Sequence, residues 1–239
     1  MLISPSTTNA LDEIASRAAD VLSAYRPGAI PTHSDVYTQA GSRFSFDPLS
    51  ATAPPNAYFV SESSSMQRSY SRDGTFHLQS GLLVNRNGEP VLGYRNDRSS
   101  PAPLRCDAAE VALGRTAGLR IEPDGSITYD RVVVDPRTRR GNKVAVSIGR
   151  LALARFSAAT KLQTLDATRF LAPPGIVPHI GRATDGNFDA VAPNTQETSA
   201  IDLDLGLQRL QEAYLAFDAL RAAHSAQGGI DKTTMDLLK

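Results

Sequence analysis

An apolar stripe near the C-terminal end limits the fold of this chain more than any other feature. Leu203, Leu207, Leu210, Tyr214 and Phe217 step by 4, 3, 4 and 3 residues, and Leu220 continues the face. That spacing keeps returning to one side of an α-helix. Ser199 stands ahead of it as a candidate cap, with Asp202 three residues on. Asp202 and Asp204 place negative charge where the helix dipole favours it. A helix from Thr198 to Gln227 spans roughly 45 Å, and Gly228-Gly229 predicts its end. Burying each large side chain contributes about 1.5–3 kcal/mol, so leaving the stripe in water forfeits on the order of 10 kcal/mol. The stripe requires a partner.

A comparable stripe lies at the opposite end of the chain. Leu11, Ile14, Ala15, Ala18, Val21, Leu22 and Tyr25 fall at helical spacing, with Asn9 as a cap and Pro27-Gly28 as a stop. Two arrangements satisfy both stripes. The terminal helices pair with each other along a coiled-coil-like seam, or each packs on a sheet as an ordinary core helix. Fewer than three heptads leave both open.

Between the helices the pattern changes. Residues 29–56, with Pro31, Pro48, Pro54 and Pro55, read as an extended connector. Beyond Ala57 come short apolar runs separated by turn signals: Asp73-Gly74 as a hairpin turn, Asn85 to Gly88 as a second turn and Pro123-Asp124-Gly125 as a third. A short helix around Ser157 to Leu165 is also consistent with the pattern. The chain is therefore expected to be α+β. A mainly β central domain of twisted, barrel-like strands is flanked by N- and C-terminal α-helices that can pair as a coiled coil. The expected organisation is 1–56 as N-terminal helix and connector, 57–196 as β-rich body, and 197–239 as C-terminal assembly helix.

Charge and composition narrow the function. The 25 basic residues balance 25 acidic ones, so the overall field points to neither nucleic acid nor an anionic membrane. Cys106 is alone, which rules out an internal disulfide. The first nine residues carry no secretory signal pattern, and no apolar run approaches the ~18 residues of a membrane span. His33, His77, His179 and His224 lack metal-ligand spacing, and no base accompanies Cys106 as a nucleophile. Asp124, Asp130 and Asp135 are better read as turn and strand-end residues than as paired catalytic carboxylates. Arg137, Arg139, Arg140 and Lys143 read as a solvated loop or a subunit contact rather than a phosphate site. Glycine-rich phosphate loops are absent. The reading is of a non-enzyme without catalytic residues, cofactor or metal.

A set of motifs then gives the stripes a purpose. Tyr70-Ser71-Arg72-Asp73-Gly74-Thr75-Phe76 resembles the signature of the bacterial flagellar rod and hook proteins, and Gly81-Leu82-Leu83-Val84 and Gly88 to Gly93 follow as in that family. Ile148 to Phe156, Asp185-Gly186-Asn187-Phe188 and Glu197-Thr198-Ser199-Ala200-Ile201-Asp202-Leu203 are similar to later family segments in the same order. The resemblance runs from about Ala57 to the C-terminus, with a gap around 95–117. It departs from the family pattern at Ala200 and in the N-terminal helix from Ala18 to Gly28. It implies a structural subunit of the flagellar basal body, exported by the flagellar type III apparatus without a cleaved signal and not inserted in a membrane. Its partners would be further copies of itself and homologous rod or hook subunits, in an axial structure that spans the periplasm and transmits torque. Leu11, Ile14, Ala18, Val21 and Leu22, with Leu203, Leu207, Leu210, Tyr214, Phe217 and Leu220, would form the assembly interface. Tyr70, Arg72, Asp73, Gly74, Phe76, Glu197, Ser199 and Asp202 would carry the family motif. An exported or surface β-rich binding module with a helical oligomerisation tail, and a small enzyme, are the alternatives.

Overall fold

The computed structural model describes residues 5–63, 65–96, 100–112, 118–134 and 141–237. In chain order the elements are α1 (Pro5–Ser23), β1 (Ser42–Phe44), β2 (Ala51–Thr52), β3 (Ala57–Glu62), β4 (Arg68–Ser71), β5 (Phe76–Gln79), β6 (Leu82–Asn85), β7 (Leu92–Tyr94) and β8 (Ala102–Pro103). There follow α2 (Ala108–Ala112), β9 (Arg120–Ile121), β10 (Ser126–Val134), β11 (Gly141–Arg155), β12 (Gln163–Thr164), β13 (Arg169–Leu171), β14 (His179–Arg182), β15 (Ala192–Pro193), β16 (Thr195–Glu197) and α3 (Leu203–Leu237). The chain is thus α+β and mainly β, with a helix near each end. It divides into two compact units: Met1–Tyr25, Ile30–Gln39 and Ala200–Lys239 form the first, and Arg26–Ala29 with Ala40–Ser199 the second.

In the first unit α1 begins at Pro5, four residues before the expected Asn9 cap. Proline fits there because its missing N–H is one of the unbonded donors of a first turn, and its fixed φ is already helical. At the other end Asp202, not Ser199, caps α3: its Oδ1 accepts the Leu205 N–H at 3.0 Å. Residues just ahead of the helix are held in extended pairing, Tyr37 with Ile201. The helix then continues through Gly228-Gly229 to Leu237. Each glycine costs roughly 1 kcal/mol in a helix, but unlike proline it poses no steric block.

The second unit is organised by β11. Its 15 residues pair with β10 from Gly141 to Arg150, with β7 at Arg150–Leu151, with β14 at Ala152–Arg155, and with β3 at Leu153–Arg155. Its C-terminal half is buried on both faces, which explains the continuous apolar run. Leu151 and Leu153 enter the larger core with Phe59, Phe76, Leu83 and Ile127. Ala152 and Ala154 face a second cluster with Val60, Tyr70 and Leu92. The sheet path runs β12-β13-β4-β3-β11-β10-β9 and is open at both ends, so the barrel-like closure expected from the sequence does not form.

Turn signals succeed where glycine supplies a positive φ. Gly125 (φ 76°) closes the β9–β10 hairpin, donating to Glu122 O at 2.9 Å, and Gly88 (φ 77°) closes the turn after β6, donating to Asn85 O at 3.0 Å. The Asp73-Gly74 hairpin is overturned. β4 pairs with β3 and β13, whereas β5 pairs with β6 through Ser80-Gly81. No helix forms over 157–165, where β12 begins instead. The stretch read as a connector carries β1 and β2, paired with β16 and β15. Among the described residues no helix is long and apolar enough to cross a membrane.

Candidate functional site: the signature cluster and the terminal helices

The motif residues Arg72 and Glu197 lie 125 positions apart and meet inside the second unit. Arg72 Nε donates to Glu197 Oε1 at 2.5 Å, and Arg72 Nη1 donates to Ala57 O at 2.8 Å. The Glu197 side chain is 7% exposed and that of Arg72 15%. Water therefore contributes little to either charge, and each depends on the other. Glu197 Oε2 has no hydrogen-bond partner among the described residues. The Glu197 backbone carbonyl also accepts the Gly28 N–H at 3.1 Å. Gly28 adopts φ 67°, and a side chain there would lie 2.6 Å from the Arg72 carbonyl carbon. The signature thus binds together β4, β16 and the 26–29 segment.

The neighbouring motif residues serve the same packing. Phe76 is buried edge-on against Phe59 with ring centroids 5.1 Å apart, and Tyr70 meets Phe156 in the same way at 4.8 Å. Gly74 permits a backbone crossing, because an added Cβ would fall 1.8 Å from Ala51 O. Asp73 Oδ1 accepts the Thr75 N–H at 3.0 Å, and Arg86 Nε stands 3.2 Å from its other oxygen. Burial nevertheless dominates and pushes the Asp73 carboxyl above its ordinary pKa, against the hydrogen bonds from Thr75 and the charge of Arg86. A carboxyl raised on folding contributes stability below its unfolded pKa, and this is lost as pH rises through the folded value. Asp73→Asn keeps the acceptor for Thr75 and removes the titration. It is expected to be at least as stable as the parent at pH 7 and to lose its advantage toward pH 4. Urea unfolding of both proteins across that range checks this. Asp124, Asp166 and Asp185, whose carboxyls are held low by hydrogen bonds despite their desolvation, titrate alike in both proteins and cancel.

Sequence reasoning missed a second buried polar network. Glu89 Oε2 accepts from Ser69 Oγ at 2.8 Å and Asn85 Nδ2 at 3.1 Å, while Glu89 Oε1 accepts from Arg169 Nη1 at 2.5 Å. Arg169 Nε in turn donates to Asp166 at 2.6 Å. No local signal announces it, because its members come from three separate stretches of chain, around Ser69, Asn85–Glu89 and Asp166–Arg169.

In the first unit, the stripe residues are distributed unequally. Ile14 is buried, Ala18 and Val21 are half-buried, and Leu11 and Leu22 are exposed. On α3 the covered positions include Leu203, Gly206, Leu210, Ala213, Phe217 and Leu220, which keep the 3-4 step with small residues beside the exposed Leu207 and Tyr214; Leu205 and Arg209 are half-buried too. Gly206 faces α1: an added Cβ would sit 3.3 Å from Val21 Cγ2. Asp35 ties the two helices, at 3.2 Å from Arg17 Nη1 and 3.4 Å from Arg209 Nε. Despite desolvation, the hydrogen bond from Arg17 holds its carboxyl low. Asp20 is buried and accepts from Thr32 N at 2.7 Å, with His33 Nδ1 at 2.8 Å. Leu22, Tyr25 and Leu215 remain 75%, 77% and 63% exposed. Ser199, half-buried, belongs to the second unit and Asp202 to the first.

The residues weighed for chemistry are scattered. Cys106 is buried, and that burial raises its thiol pKa. His179 stacks on Phe188 at 5.7 Å. Asp124 accepts from Ser126 in its turn, and Asp130 pairs with Arg120 at 3.3 Å. Lys143 is exposed on β11, while Asp135, Arg137, Arg139 and Arg140 lie outside the described residues. Among the described residues no three His, Cys, Asp or Glu side chains are grouped to hold a metal ion. Neither the protein-family models nor the curated proteins compared with this sequence match it.

Proposed function

We propose that this protein is a structural subunit of the bacterial flagellar basal body, of the rod or hook type. It polymerises with copies of itself and homologous subunits through its terminal helices. The observation that carries the reading is the union of the motif's two ends in one buried ion pair, Arg72 with Glu197. Residues singled out only by resemblance to that family would otherwise have no reason to meet. The terminal helices add a second support. Leu22, Leu207, Tyr214 and Leu215 stay exposed on helices that already pack on each other, and Tyr25 is exposed just after α1. Several large apolar side chains left in water on one unit suit an assembly surface. In the polymer these helices are proposed to pair with their neighbours as coiled coils. The protein itself has a mechanical role and uses no cofactor.

Purified basal bodies test the proposal. The chain is expected among their axial proteins, and deletion of 198–239 is expected to abolish assembly and motility. A protein that stays a globular monomer and never joins a basal body rejects it. If the truncated chain instead retains binding to a surface ligand, the β-rich binding module is the better reading.

A further inference from the structure

Two cavities of about 480 Å³ and 240 Å³ lie side by side in the second unit and share Arg95 and Ser147 in their walls. The larger is lined by Arg95, Arg105 and Arg131, with Asp107 and Glu110. The smaller adds Arg150 and Arg182 beside Tyr94. Five arginines therefore line the two cavities with two acids, in a chain whose net charge is zero, although Arg150 also stands 3.2 Å from Asp124 Oδ2. Both acids are already engaged: Asp107 Oδ1 accepts the Ala109 N–H at 2.9 Å, and Glu110 stands 3.6 Å from Arg131.

The floor between the cavities is a β-bulge. Thr128 pairs with Ser147 and Ile127 with Gly149, which leaves Ile148 as the extra residue of β11. Ser147 Oγ accepts the Gly149 N–H at 3.2 Å, fixing the kink. Gly149 itself is required by the crossing: a Cβ there would approach Tyr94 O to 2.8 Å.

We propose that the twin cleft binds an acidic peptide segment of a partner protein. Arginines pair with carboxylates through two parallel hydrogen bonds. Asp107 and Glu110 in the wall of the larger cavity oppose a dense polyanion, which leaves a segment of carboxylates spaced by neutral residues as the better fit. A nucleic acid finds no stacking surface: Arg182 covers the Tyr94 ring at 5.3 Å, and Tyr129 is buried. All the residues involved lie in the second unit, so the inference stands apart from helix-driven assembly.

Fluorescence anisotropy on the full chain tests it, with a labelled ten-residue peptide of alternating Glu and Ser as probe. Binding is expected to weaken as salt rises. It is expected to fall about tenfold or more in Arg95→Ser/Arg105→Ser, the size expected for losing charge-assisted hydrogen bonds. Arg221→Ser on α3 is expected to leave it unchanged, and circular dichroism confirms that each variant is folded. Arg105→Glu provides a second variant should the double one unfold. Absence of binding, equal binding of a control peptide with Gln in place of each Glu, or binding unaffected by the cleft variants overturns the proposal. A labelled single-stranded oligonucleotide that binds more tightly than the acidic peptide, with the same loss in the variants, overturns it in favour of a nucleic-acid site.

Discussion

Glu197→Ala is expected to lower the unfolding free energy of the second unit by about 3 kcal/mol, because removing one partner of a buried ion pair costs about 3–5 kcal/mol and Arg72 keeps slight solvent access. The loss comes from the abandoned guanidinium rather than from the missing attraction. Arg72 Nη1 would still donate to Ala57 O, but its Nε would face a closed interior without an acceptor. Glu197→Gln retains size and an oxygen for Nε, and should lose less. Replacing both partners, as Arg72→Met with Glu197→Leu, should cost less than the two single changes combined, since no charge is then stranded. Urea unfolding of the four proteins of this double-mutant cycle measures the coupling. Additive and near-neutral single variants would show that the pair does not hold β4 to β16.

This pair also marks the limit of what one sequence reveals. Arg72 and Glu197 were each singled out by resemblance, but a contact across 125 residues leaves no local periodicity to read. The strands themselves were legible, because alternation and turn glycines are local. Gly88 and Gly125 sit at the positive φ values that their turns demand. The terminal stripe was legible in spacing, with Leu203, Leu210, Phe217 and Leu220 covered in the monomer and two other members exposed. Large residues attract attention, so Leu207 and Tyr214 were placed on the packed face. Gly206 and Ala213 occupy it instead, since helices that approach closely favour small side chains at the contact. The displaced leucine and tyrosine then become exposed surface, which is where the proposed assembly contact gains its apolar area. The arginine cleft was invisible for the same reason as the ion pair, being assembled from β7, β10, β11, β14 and the segment after β8.

Gly74→Ala should be the most disruptive change of a single methyl group in the chain's signature. Asp73-Gly74 has the composition of a hairpin turn, and the dipeptide alone cannot distinguish a turn from a close crossing. The surroundings decide: an added Cβ lies 1.8 Å from Ala51 O and 2.6 Å from Phe59 Cε2. Neither neighbour can yield cheaply. Ala51 N–H is hydrogen-bonded to Gly74 O at 3.0 Å, and the Phe59 ring is clamped against Phe76. Overpacking commonly costs about 1–3 kcal/mol, and a collision with backbone on one side and a core aromatic on the other places Gly74→Ala at or above the upper end. Gly118→Ala is the control, because among the described residues no atom lies within 4 Å of the position its Cβ would occupy. That variant should change stability by no more than about 0.5 kcal/mol. Thermal and urea unfolding of the two variants separate the alternatives. Equal stability would mean that the signature glycine serves chain flexibility. A large gap confined to Gly74 would mean that the signature from Tyr70 to Phe76 is a packing code, in which glycine admits the crossing strand, Phe76 fills the core beneath it, and Arg72 ties the crossing to β16.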